Sequence, residues 1–109
     1  MKTLLLAAVV ALGTAQTPPQ DAAVTVHIKD FAYVAPAITV PAGTTVKFVN
    51  DDGEAHTVTA VDKSFDSTGL DTGSSWTYKF AKPGKYAYFC ALHPYMKGTV
   101  VVKAAAGKP

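Results

Sequence analysis

Cys90-Ala91-Leu92-His93-Pro94-Tyr95-Met96 is the stretch on which the reading of this chain turns. It sets a thiol, an imidazole and a thioether at intervals of three residues. Cys90 is the only cysteine in 109 residues, and Met96 is the only methionine besides Met1. Soft sulfur ligands with imidazole suit copper, and two histidines, one cysteine and a weak axial methionine make the blue-copper arrangement. Methionine stands outside the usual zinc ligand set. The second histidine has to come from elsewhere, and His56 is the candidate. It follows the turn formers at 50–53 and alternates with Val58 and Ala60, which points its side chain toward an interior. Each residue alone has a plainer reading. Cys90 could be a buried thiol, His56 a core or surface histidine, and Met96 core filler. Together they support one another as a metal site. His27 lies on a polar face with Thr25 and Lys29, beside no other ligand type, and is left out of it.

Outward from that stretch the pattern is of short strands. Val24, Val26 and Ile28 alternate with Thr25, His27 and Lys29. Val46 and Phe48 alternate in the same way, as do Trp76, Tyr78 and Phe80. Residues 85–90 and 99–103 read as the last two strands. Pro41-Ala42-Gly43, residues 50–53 and Pro83-Gly84 punctuate them as turns. Residues 62–75 are polar and turn-rich, with Phe65 and Leu70 as expected anchors. Seven to eight short strands with such spacing, and no long amphipathic helix, predict an all-β Greek-key sandwich. Pro83-Gly84-Lys85-Tyr86 also fits a tyrosine corner, in which a tyrosine early in a strand bonds back to nearby backbone.

The N-terminus reads as a targeting segment. Lys2 is followed by an apolar run over residues 3–12 and by small residues at 13–15, the order of a secretory signal peptide. The run is shorter than the roughly 20 residues of a spanning helix, so no stable membrane anchor is predicted. The expected organisation is a signal peptide at 1–15, a flexible leader at 16–22, a copper-binding domain at 23–103 and a mobile tail at 104–109. The expected location is outside the cytoplasm, in a periplasm or the medium. The net charge is +2, and all ten basic residues are lysines scattered among acidic ones. That pattern excludes a nucleic-acid surface, which clusters lysine and arginine.

The chain resembles the cupredoxins, and among them the amicyanin and plastocyanin-like branch. The resemblance runs from about Val24 to Lys103. It is carried by Tyr88-Phe89-Cys90-Ala91-Leu92-His93-Pro94-Tyr95-Met96-Lys97-Gly98, by Asp30-Phe31 with residues 38–43, and by Phe48-Val49-Asn50 leading to His56-Thr57-Val58. It implies a Greek-key sandwich of eight strands or nearly so, with one copper ion at one end beneath loops. His56, Cys90 and His93 match the equatorial ligands and Met96 the axial one, with Asn50 and Thr57 behind them. The branch usually carries asparagine where this chain has Thr57. The backbone N–H there remains available to the Cys90 sulfur, while the side-chain tie between the two ligand loops is expected to differ.

The function so implied is single-electron shuttling between redox partner proteins on Cu(II)/Cu(I), by a monomer. Leu92, Pro94 and Tyr95 are expected to cover His93, whose edge serves as the electron port. An enzyme is not expected, because every assigned metal position is filled by protein. The alternative is an exported copper-binding or copper-delivery protein using the same residues.

Overall fold

Alternation in the sequence becomes two sheets facing each other. The computed structural model describes residues 23–105. Its strands are β1 (Ala23–Lys29), β2 (Ala32–Val34), β3 (Ala37–Pro41), β4 (Thr44–Asn50), β5 (Thr59–Ala60), β6 (Ser75–Phe80), β7 (Gly84–Cys90) and β8 (His93–Lys103). One sheet has the order β2-β1-β4-β6 and the other β3-β8-β7-β5. The pairs β1–β4 and β3–β8 are parallel and the rest antiparallel. The fold is the expected all-β sandwich, with eight strands. The signal segment and leader expected over 1–22, and residues 106–109 of the expected tail, lie outside the described residues.

Period-two burial fills the space between the sheets. Val26 and Ile28 of β1 and Val46 and Phe48 of β4 are fully buried, facing Val40, Tyr88, Val100 and Val102 from the second sheet. Each large apolar side chain so buried contributes roughly 1.5–3 kcal/mol. Phe65 and Leu70 anchor the long connection between β5 and β6, as expected, at 6% exposure each. The same alternation carries Asn50 inward at the last position of β4, so that strand ends in a buried amide. The tyrosine corner is present: the Tyr86 hydroxyl donates to the Lys82 carbonyl at 2.8 Å.

The last strand is longer than the sequence suggested. It begins at His93 rather than Thr99 and runs eleven residues. Its ladder with β7 is regular from Gly84↔Val102 to Phe89↔Lys97, then jumps to Cys90↔His93. Residues 94–96 therefore bulge from the strand. Pro94 and Tyr95 turn outward and Met96 turns in, at 2% exposure. Proline has no N–H for a ladder, which is why this segment reads as a loop in the sequence.

Gly98 is required by close approach. A Cβ there would stand 2.3 Å from the Tyr88 ring carbon Cζ and 2.6 Å from Cε1. Tyr88 is wedged edge-on against Tyr33 and Phe48, with centroids at 4.7 and 5.5 Å, so its ring cannot swing aside. Gly98→Ala should therefore cost about 2 kcal/mol or more in overpacking. Gly53→Ala, with nothing within 4 Å of a new Cβ, should be nearly neutral. Denaturant titration of the two variants checks the contrast.

Candidate metal centre

Three side chains from two distant segments meet at one end of the sandwich. Cys90 closes β7, His93 opens β8, and the turn Ala91-Leu92 between them puts both on one hairpin end. His56 comes from the connection between β4 and β5. A two-way backbone bridge to Leu70 fixes it there, with His56 N–H to the Leu70 carbonyl at 3.1 Å and Leu70 N–H to the His56 carbonyl at 2.7 Å. Cys90 Sγ lies 3.7 Å from His56 Nδ1 and 3.6 Å from His93 Nδ1, and the two nitrogens are 3.2 Å apart. A point equidistant from these three atoms stands about 2.0 Å from each, an ordinary bond length from a first-row metal to imidazole nitrogen. A thiol and two imidazoles converging at these distances fit one copper ion.

The two histidines are held differently. His56 is fully buried. Its Nε2 lies 2.8 Å from Asp52 Oδ2. Since a carboxylate only accepts, Nε2 carries the proton and Nδ1 is left with its lone pair facing the other donors. The same Asp52 oxygen accepts the Phe31 N–H at 2.9 Å. That bond first, and His56 second, hold the Asp52 carboxyl down to about 2, below the usual carboxylate range. His93 is half-buried, and beyond it Leu92 and Tyr95 are 55% and 68% exposed.

Asn50 and Thr57 organise the surrounding backbone. Asn50 uses its whole amide: Nδ2 donates to the Glu54 and Leu70 carbonyls, both at 2.8 Å, and Oδ1 accepts from Asp52 N–H at 2.9 Å. This folds the segment bearing Asp52 and His56 back onto Leu70. The Thr57 N–H reaches Cys90 Sγ at 3.3 Å. Its Oγ1 accepts the Ala91 N–H at 2.8 Å. The threonine therefore supplies a side-chain tie between the two segments, where the sequence led us to expect that tie to change. Alternation puts Thr57 opposite His56 and Val58, yet all three are buried. Thr57 is covered because the Ala91 turn folds over it.

Met96 is buried and lies three residues beyond His93 on β8. His27 is exposed and pairs with Asp51 at 2.5 Å, away from the donor cluster. Sequence reasoning missed Asp52, Phe31 and Tyr33. Asp52 stands four residues before His56, and that spacing was its only signal. Phe31 occupies a two-residue turn in which asparagine or glycine is usual.

A Cupredoxin-like domain model matches residues 2–102. The chain belongs to the cupredoxin family. This cupredoxin is 33% identical over 90 residues to amicyanin of Paracoccus versutus, an alignment covering 78% of this chain and 67% of that one. Among solved structures, a reduced amicyanin variant superposes with a TM-score of 0.71 at 30% identity, covering 76% of this chain and 84% of its own. A purple cupredoxin from Nitrosopumilus maritimus gives 0.70 at 29%, covering 73% and 99%. With family and donor set in agreement, this cupredoxin is a blue copper electron carrier with one copper ion as its cofactor.

Two outcomes follow from the ties around Thr57. Thr57→Val keeps shape but strands the Ala91 N–H, and it should lower the stability of the metal-free protein by about 1–3 kcal/mol, read by denaturant unfolding. Tyr33 carries the second. Its buried hydroxyl donates to the Thr57 carbonyl at 2.5 Å. Burial first, then Cys90 and Tyr88, push its ionisation far above normal. A group raised on folding stabilises below its unfolded value, about 10 for tyrosine, and that stability is lost as pH rises past it. The metal-free protein should therefore weaken steeply above that pH, and Tyr33→Phe should flatten the slope in unfolding curves taken across an alkaline series.

Proposed function

We propose that His56, Cys90 and His93 hold the copper equatorially through Nδ1, Sγ and Nδ1, with Met96 as the axial ligand. The convergence of three donor atoms within bonding reach of one point is the observation that supports this most. The bound ion supplies a one-electron change between Cu(II) and Cu(I). The protein's part is to keep the donors still through that change. Asp52 fixes the His56 tautomer, and the Thr57 N–H stabilises negative charge on Cys90 Sγ. Such bonds to ligating atoms orient them and tune the site. With no position left open for a substrate, the chain turns nothing over by itself.

His93 is the port. It is the half-buried member of the donor set, and Leu92, Pro94 and Tyr95 surround it with exposed surface that excludes water once a partner docks. The partners are redox proteins met transiently by a monomer. The chain is exported by its N-terminal segment and works in a periplasm or the medium. Among the described residues no helix is long and apolar enough to cross a membrane.

The deciding experiment is a visible spectrum of the purified chain after Cu(II) is added, repeated with ascorbate. We expect an intense thiolate-to-copper band that bleaches on reduction and returns on oxidation, and that is absent from a folded Cys90→Ser variant. A folded wild-type protein with a free thiol and no band would defeat the electron-carrier reading. It would favour copper delivery.

A further inference from the structure

Strands β1 and β2 are joined by only two residues, Asp30 and Phe31, since Lys29 pairs with Ala32. Both have positive φ, 53° and 57°. Turns of this kind match the twist of the strands and are usually filled by Asn-Gly or Gly-Gly. A phenylalanine with positive φ is a strained choice. Strain of this sort persists where surrounding structure holds it in place, and it gathers at functional sites.

The phenyl ring is placed against the candidate centre. It meets His56 edge-to-face at 5.2 Å between centroids and His93 at 4.9 Å, with interplanar angles of 89° and 85°. The imidazoles themselves are 4.9 Å apart, so a single ring lies over both. The turn is tied to the same place, because one Asp52 oxygen accepts from both Phe31 N–H and His56 Nε2. Phe31 stands outside the buried core cluster and is 37% exposed, so burial in the core does not account for it. The two imidazoles also differ in what orients them. His56 has Asp52. Among the described residues, the His93 ring has no hydrogen-bond partner beyond Cys90 and His56. The other aromatic rings packed against it are Phe31 and, more distantly, Tyr95 at 6.3 Å.

We propose that Phe31 is a positioning residue of the metal centre: the strained Asp30-Phe31 turn holds its ring against both imidazoles, sets His93 relative to His56, and closes the donor triangle to small solutes. The proposal rests on the copper reading above. It separates sharply from a merely structural role at one substitution. Glycine is at ease with positive φ, so Phe31→Gly relieves the turn while removing the ring.

The test uses the full chain with Phe31→Gly, Phe31→Leu and Phe31→Tyr. In Phe31→Gly the metal-free protein should melt at or above the wild-type temperature, while Cu(II) passes to a chelator about tenfold faster or more, the usual scale for losing a group behind a ligand. Its Cys90 thiol, without metal, should react with an aromatic disulfide reagent faster by a similar factor. Phe31→Leu should fall between, and Phe31→Tyr should restore wild-type rates. Wild-type rates of copper release and thiol reaction in Phe31→Gly would overturn the proposal, as would a large loss of metal-free stability with no change in either rate. Should Phe31→Gly not fold, Phe31→Leu decides by the same two rates. A wild-type chain that takes up no copper would end the reading of the previous subsection, whereas the thiol reaction needs no metal and still decides this one.

Discussion

Two segments far apart in the chain must be held together before any metal arrives, and Thr57 is where that happens. Its N–H points at Cys90 Sγ and its hydroxyl accepts from Ala91, both across a separation of more than thirty residues. The short β5–β7 ladder, Thr59 with Phe89 and Ala60 with Tyr88, joins the two segments further along, and the double contact of Thr57 extends that joint to the donor atoms themselves. Three lone-pair-bearing atoms at 3.2–3.7 Å offer one another little attraction. The scaffold has to supply the convergence, and it does so with neutral hydrogen bonds in a dry place, where each is costly to lose. Asn50 does the same service one layer out, by folding its own loop onto Leu70.

The centre is asymmetric for a physical reason. His56 is sealed, with one nitrogen occupied by a carboxylate and the other turned to the metal position. His93 is half-buried, and its chain neighbours Leu92, Pro94 and Tyr95 are exposed. A buried imidazole hydrogen-bonded to a carboxylate is held in place, while a half-buried one is in reach of solvent. One side of the site is therefore enclosed by the fold and the other lies near solvent. The bulge at 94–96 makes this possible, because it turns Met96 inward while leaving its two neighbours at the surface.

Most of the architecture was legible because it rests on period two. Val26 and Ile28, Val46 and Phe48, and Trp76, Tyr78 and Phe80 alternate in the sequence and alternate in burial. The three candidate donors that converge, His56, Cys90 and His93, stood out in the sequence because their types are rare in this chain. What was not legible depends on contacts between distant segments. The resemblance pointed to the Thr57 N–H beside the Cys90 sulfur, but not to its hydroxyl accepting from Ala91: alternation marks Thr57 as outer, and a turn more than thirty residues away buries it. Asp52 reads as one more turn former until His56 lies beside it. Asp30-Phe31 carries part of the family resemblance, yet nothing local announces the sign of the Phe31 φ or its place beside the two imidazoles. The start of β8 was hidden by Pro94, which interrupts the pattern without ending the strand.

The long last strand has a further consequence. From Lys97 onward β8 is paired on one side with β7, and from Thr99 with β3 on the other. Its register is therefore set by two neighbours, independently of anything between Cys90 and Met96. The connection carrying three of the four proposed ligands is bolted on at the end of a ladder that stands without it. Residues could be added to or removed from that connection without sliding a core side chain of β8 beyond Lys97, such as Val100 or Val102, to the wrong face. Chemistry and fold are mechanically decoupled at Lys97, so the metal's surroundings are free to vary while the sandwich stays the same.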